Sequence, residues 1–154
     1  QNDDAIKNYD AAIKLNGNSS IAGDARSQKM NPFSADRWSN DDHLWWTGAR
    51  PGARLELELP VADDGRYDVE LVLTRARDYG IVQLLLDGEK LGDPIDLYNS
   101  PDVVTTGVRT IANQQLAAGK HTFGVEIVGS HPKAIKAYMF GLDYVRLRPV
   151  TAGQ

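Results

Sequence analysis

The clearest signal along the chain is alternation. From Arg54 onward, Leu55, Leu57 and Leu59 alternate with Glu56 and Glu58, the period-2 signature of a strand with one dry and one wet face. After Asp63-Asp64-Gly65 the pattern resumes, with Tyr67, Val69, Leu71 and Leu73 set against Asp68 and Glu70, so the two runs are predicted to form an antiparallel hairpin. Ile81 to Leu86 is nearly all apolar and reads as a central strand. Asp87-Gly88 tolerates positive φ at both central positions of a type I′ turn, and should return the chain through Glu89-Lys90-Leu91. Pro94 to Tyr98, Val103 to Ile111 and Gln114 to Leu116 are shorter candidates. An Ala118-Gly119-Lys120 turn leads into a strand over His121 to Val128, and a final strand over Tyr138 to Leu147 is bounded by Pro149.

Before Arg54 the pattern is weaker. Ile6, Tyr9 and Ile13 fall at helical spacing, yet Ala11-Ala12-Ile13-Lys14-Leu15 alternates, so a loose start with a strand near its end is expected. Asn16-Gly17-Asn18-Ser19-Ser20 is turn chemistry and contains an Asn-x-Ser sequon at Asn18, a triplet that often arises by chance. About eight to ten short strands with frequent turn signals and no internal helix predict an all-β fold, a β-sandwich jelly roll. Residues 1–24 read as a lead-in with a first strand, 25–148 as the sandwich and 149–154 as a tail.

Composition narrows the function classes. A chain of 154 residues without repeats suits one core. The net charge of −4, from 17 basic and 21 acidic residues without long runs, offers neither a phosphate-tracking stripe nor a polybasic anchor, which argues against nucleic acid and membrane partners. With no cysteine there are no disulfides, thiolate metal sites or cysteine nucleophile. No apolar run has the length of a membrane helix. The opening Gln1-Asn2-Asp3-Asp4 lacks a basic n-region and an initiator methionine, and reads as a processed chain or an excised module.

All three tryptophans fall between Trp38 and Thr47, beside the densest polar cluster of the chain. Trp45 and Trp46 are adjacent, so in a strand they point to opposite faces and one of them belongs to the core. Several phrases in fixed order carry a resemblance: Trp45-Trp46-Thr47-Gly48-Ala49-Arg50-Pro51-Gly52, Gly65-Arg66-Tyr67-Asp68-Val69, Asp78-Tyr79-Gly80 leading to Leu86-Asp87-Gly88, Leu116-Ala117-Ala118-Gly119-Lys120-His121, and Gly141-Leu142-Asp143-Tyr144-Val145. Together, over residues 25–148, they resemble carbohydrate-binding modules of the galactose-binding-domain-like jelly-roll type, commonly appended to glycoside hydrolases and polysaccharide lyases. The resemblance implies a structural calcium ion held by paired first-strand glutamates and a last-strand aspartate. Asp143 stands at the terminal position, but Ala11, Ala12, Ile13 and Lys14 replace the glutamates, leaving Asp24 and Asp143 as the contributors if calcium is bound.

The resemblance further implies a sugar site on loops at one end of the sandwich or on a concave sheet face. Sugar recognition needs an aromatic plane for the C–H face of a ring and planar polar groups for its hydroxyls. Three loop regions qualify and are expected to form one pocket: Asp36 to His43 with Trp38, the stretch Thr74-Arg75-Ala76-Arg77-Asp78-Tyr79, and Tyr98-Asn99-Ser100-Pro101-Asp102. The candidate ligand-binding residues are Trp38, Asp42, His43, Arg75, Asp78, Tyr79, Tyr98 and Asn99, with Trp38 or Tyr79 stacking and Arg75 and Asp78 pairing with hydroxyls. Against this stand plainer readings: Trp38 in the core, Tyr79 closing a turn, the charged residues as a solvated cluster, and His43 and His131 as structural or exposed.

No Gly-x-Ser-x-Gly elbow, His-Glu-x-x-His helix or phosphate-cradling glycine loop occurs. Glu56, Glu58, Asp68, Glu70, Asp63, Asp64 and Asp87 are assigned to exposed strand faces and turns, which leaves no evident acid/base pair for glycoside hydrolysis. The sequence therefore points to a non-catalytic carbohydrate-binding module of a larger secreted or periplasmic bacterial enzyme, its partners a poly- or oligosaccharide and a covalently linked catalytic domain. The alternative is a structural accessory domain that packs on a catalytic neighbour without binding sugar.

Overall fold

The computed structural model describes residues 5–6, 14–16 and 22–150. Within them the strands are β1 (Ala5–Ile6), β2 (Lys14–Asn16), β3 (Asp24–Lys29), β4 (Asp42–Thr47), β5 (Arg54–Val61), β6 (Gly65–Arg75), β7 (Ile81–Leu86), β8 (Glu89–Lys90), β9 (Ile95–Asp96), β10 (Val104–Leu116), β11 (Gly119–Gly129) and β12 (Phe140–Pro149). They build two antiparallel sheets. One has the order β10-β6-β12-β4-β3 with β1 also on β12; the other has the order β2-β5-β11-β7-β8 with β9 also on β7. Among the described residues the only helical element is a short 3₁₀ turn at Ser39–Asp41. The two sheets enclose one core, as expected of a β-sandwich.

Alternation explains the packing. Leu55, Leu57 and Leu59 of β5 and Phe123, Val125 and Ile127 of β11 face Val69, Leu71 and Leu73 of β6 and Leu44 and Trp46 of β4, and all are buried. Trp46 is fully buried, with its indole N–H donating to the Ala22 carbonyl, whereas its neighbour Trp45 is half-buried on the other face beneath the Arg26 guanidinium. The β7–β8 hairpin turns at Asp87 and Gly88 with φ of 52° and 83°, the positive values the sequence called for. Asp87 also receives His121 Nδ1 at 2.6 Å while His121 Nε2 reaches the Ala117 carbonyl at 2.7 Å, which ties this turn to the start of β11.

Three expectations change. β5 and β6 do not pair: β5 lies between β2 and β11, and β6 between β10 and β12 in the opposite sheet. Both strands turn their leucines to the same core, and a period-2 pattern is identical whether two strands lie side by side or face one another. Glu70 is not on a wet face either; it is buried beneath Arg146 and Arg148, at 2.6 and 3.1 Å. Finally, the stretches expected over Val103 to Ile111 and Gln114 to Leu116 merge, from Val104 onward, into one long strand, β10, irregular at two places where residues slip out of register with β6. Ala11, Ala12, Ile13 and the Asn18 sequon lie outside the described residues.

Candidate functional site

The predicted residues divide about the end of β6. Thr74 and Arg75 are consecutive in a strand, so their side chains leave on opposite faces. On the Thr74 side, the outer face of the first sheet, Trp38 Nε1–H donates to Thr74 Oγ1 at 2.8 Å. Thr74 lies 2.7 Å from His43 Nδ1, and His43 Nε2 lies 2.7 Å from Gln28 Oε1. One proton arrangement satisfies the whole chain: Thr74 O–H donates to Nδ1, and Nε2–H donates to Gln28. Trp38, His43 and Thr74 are all buried. Gly141 makes room for them, since a Cβ there would stand 2.5 Å from His43 Cε1 and 2.9 Å from Thr74 Cβ.

Residues 30–41 are fastened over this face at two further places. Asp143, buried in β12, accepts Ser39 N–H at 3.0 Å and Ser39 O–H at 2.6 Å. Asp36 accepts both the N–H and the O–H of Thr105 on β10, at 2.8 and 2.9 Å. The Thr105 and Arg37 amides hold the Asp36 carboxyl below its ordinary range despite partial desolvation.

The Arg75 side is different. Here the connections after β6, β9 and β11 meet at one end of the sandwich: Ala76 N–H bonds to the Leu97 carbonyl, Asn99 N–H to the Ala76 carbonyl, and Ile135 N–H to the Arg77 carbonyl. Arg75 Nη2 donates to the Tyr98 carbonyl at 3.0 Å, and its buried Nε has no partner among the described residues. The half-buried Tyr98 ring stacks on His131, with centroids 4.3 Å apart and planes 10° from parallel. His131 Nδ1 accepts the Lys133 N–H at 3.0 Å, which leaves Nε2 as the protonated, donating nitrogen. Asn99 Nδ2 donates to the Asp102 carbonyl, and half-buried Asp78 lies in the same turn as Arg75. Arg77, Lys133 and Lys136 flank this end without an ion pair among the described residues.

The single pocket expected from the sequence is thus two places. Arg75, Asp78, Tyr98 and Asn99 come together; Trp38 and His43 belong to the buried relay on the other face; Asp42 heads β4 opposite Lys29. Neither expected stacking platform presents an open ring. Trp38 is 4% exposed and Tyr79 also 4%, and burial, with the Asp78 charge beside it, drives the Tyr79 phenol far above its ordinary range. His131, which the sequence reads as structural or exposed, joins this group through its stack on Tyr98.

The calcium pair does not assemble. Asp24 lies opposite Thr47 and is paired with Arg26, while Asp143 follows Leu142, which lies opposite Leu44. That is three residues further along β4, roughly 10 Å at strand rise, with two strand spacings besides. Among the described residues no group of three or more His, Cys, Asp or Glu is disposed to hold a metal, so these residues do not fit the ion that the resemblance implied.

No protein-family model and no curated protein matches the chain in sequence. Solved structures match it in shape. A Paenibacillus xanthan lyase superposes with a TM-score of 0.72 at 18% identity, over 90% of this chain and 12% of the lyase. The family 35 carbohydrate binding module from Clostridium thermocellum matches with a TM-score of 0.57 at 17% identity, over 94% of this chain and 97% of the module. The Podospora anserina GH26-CBM35 β-(1,4)-mannanase gives 0.56 at 14% identity, over 97% of this chain and 28% of the enzyme. The chain spans only a small part of the two enzymes and almost the whole length of the stand-alone module. At such identities the likeness is one of fold, and the fold is the jelly roll found in carbohydrate-binding modules.

Proposed function

We propose that the domain is a non-catalytic carbohydrate-binding module whose glycan contacts lie at the loop end built by Arg75, Asp78, Tyr98 and Asn99, with His131 added. The observation that carries the reading is the Tyr98–His131 stack beside the Arg75 guanidinium, with half-buried Asp78 in the same turn. The phenol, the imidazole N–H, the amide and the guanidinium offer donors and acceptors suited to sugar hydroxyls, and the stacked rings offer a flat apolar surface. The fold shared with the family 35 module supports the same reading.

Catalysis is disfavoured because many of the carboxylates already hold structural partners. Glu70 holds Arg146 and Arg148, Glu126 holds Arg54, Asp36 holds Thr105 and Asp143 holds Ser39. A glycosidase needs two carboxyls opposed across the scissile bond. The module instead acts by targeting: tethered to a catalytic domain of a secreted or periplasmic enzyme, it raises that domain's effective concentration at the polysaccharide. A shallow surface of this kind binds with micromolar to millimolar dissociation constants, about −4 to −8 kcal/mol.

The test is affinity electrophoresis against neutral and acidic polysaccharides, with calcium present or chelated, comparing the parent with Tyr98→Ala and Arg75→Ala. Retardation by one polysaccharide class, lost in Tyr98→Ala at unchanged melting temperature, is the expected result. Absence of retardation by every glycan would overturn the proposal in favour of the structural accessory domain.

A further inference from the structure

The free edges of the two sheets are unequal. Among the described strands, β1, β8 and β9 have two residues each, β2 has three, and β3 has six, of which Asp24, Arg26 and Lys29 are charged. Short or charged edges of this kind discourage pairing with another chain. β10 is guarded differently: it has 13 residues, many of them β-branched, with Arg109 as its one formal charge, and it pairs on one side only, with β6. At its two irregularities Asp36 takes the Thr105 N–H and Asp68 takes the Asn113 N–H. Between them Val108, Arg109 and Thr110 are exposed, Val108 to 56%. We propose that this stretch is the pairing edge of a homodimer, with β10 of one copy running antiparallel to β10 of a second.

The chemistry beside the edge selects a second copy as the partner. An open cleft of about 630 Å³ runs between the sheets along β10, with buried Leu71 and Leu84 at its floor and Ile95 and Ile111 in its walls. Its two lips carry one carboxylate and one guanidinium, Asp93 in the β8–β9 connection and Arg109 on β10. Both residues are exposed, and neither has an ion pair or a side-chain hydrogen bond among the described residues. A surface with one charge of each sign on opposite lips is complementary to itself when turned about a two-fold axis. A partner bearing one sign of charge would leave either Asp93 or Arg109 unmatched.

The strand also offers a register. A two-fold axis through Thr110, perpendicular to the sheet, sets Arg109 opposite Ile111 of the second copy rather than opposite another arginine, and sets exposed Val108 opposite Ala112. Arg109 pairs with Leu71 of β6, so it shares the face turned to the core, on which the cleft opens. The axis keeps that face on the same side in both copies. It therefore brings the two clefts together over one continuous sheet and carries Arg109 of each copy towards Asp93 of the other. The Arg75 surface lies at the far end of β10, beyond the paired stretch, so the dimer is independent of sugar binding.

Sedimentation velocity of the whole chain from about 10 μM to about 1 mM, the range in which a weak interface forms, is the test. The parent should pass from one chain towards two as concentration rises. Arg109→Asp puts two carboxylates in each cleft and Asp93→Arg puts two guanidiniums there. Either alone should weaken the dimer at least tenfold with melting unchanged, because both side chains are exposed. Mixed in equal amounts, the two variants should associate again, each supplying the charge the other lacks. A parent that stays monomeric throughout would overturn the proposal in favour of a strand of different sequence on this edge. A dimer indifferent to both substitutions, or a mixture that stays monomeric, would overturn it equally.

Discussion

Gly141→Ala is the sharpest probe of the buried relay. Gly141 sits in β12 with its missing side chain under the His43 ring, and an added methyl would meet His43 Nδ1 at 2.6 Å, His43 Cε1 at 2.5 Å and Thr74 Cβ at 2.9 Å. None of these neighbours can retreat into solvent, because His43 and Thr74 are fully buried. Overpacking of this kind costs ~1–3 kcal/mol. Pushing the imidazole aside also breaks its bonds to Thr74 and Gln28, at about 1–3 kcal/mol for a buried polar group left unmet. A total of ~2–6 kcal/mol corresponds to a fall of roughly 5–20 °C in melting temperature for a domain of this size. Urea and thermal unfolding measure it, and the Trp38 indole resonance should shift with it. In a His43→Ala background only the Thr74 Cβ contact at 2.9 Å remains, so adding Gly141→Ala there should cost clearly less than in the parent. A Gly141→Ala protein that melts within about 2 °C of the parent would refute the reasoning.

Three further outcomes follow from the same geometry. Trp38→Ala should destabilise by about 3–5 kcal/mol in urea unfolding, as expected of a core ring, whereas Tyr98→Ala should leave the midpoint nearly unchanged. The His121–Asp87 contact makes stability pH-dependent at both ends: the Asp87 and Ala117 bonds raise the His121 pKa, so its contribution is full below the ordinary histidine range and is lost as pH rises through the raised value. Desolvation opposes the shift of Asp87, but bonds from His121 and the Thr122 amide outweigh it and lower its pKa, so its contribution fades as pH falls through that lowered value. His121→Gln should flatten the upper step in a melting-temperature profile from pH 5 to 9. Asp36→Ala should release residues 30–41 from β10, costing about 1–2 kcal/mol and speeding amide exchange at Thr105.

Much of this was legible. Leu55, Leu57 and Leu59 announced their strand because only that face needed a core, and Asp87-Gly88 announced its turn because few pairs accept positive φ twice. What alternation does not carry is the partner, which is why β5 and β6 read as a hairpin although they occupy opposite sheets. The loop-end residues could be grouped from sequence because Arg75, Tyr98 and Asn99 are polar or amphipathic residues in connections. Trp38 was misjudged for the same reason: Arg37, Ser39 and Asn40 around it are exposed, and nothing local reveals that the ring folds back onto Thr74, 36 positions away. The available clue was Gly141, a bare position in a strand that otherwise carries side chains on both faces.

The zigzag of the chain between the two sheets also bears on how it folds. Among the described strands, β7 and β8 alone pair with each other across a tight two-residue turn; β4 pairs with β12 through Leu44 and Leu142, and β6 with β12 through Val69 and Leu147. Most pairings therefore close long loops before any burial rewards them, and the entropy of that closure sets the barrier. Refolding in the millisecond-to-second range is expected, starting from the Asp87-Gly88 hairpin, the cheapest contact the chain can make.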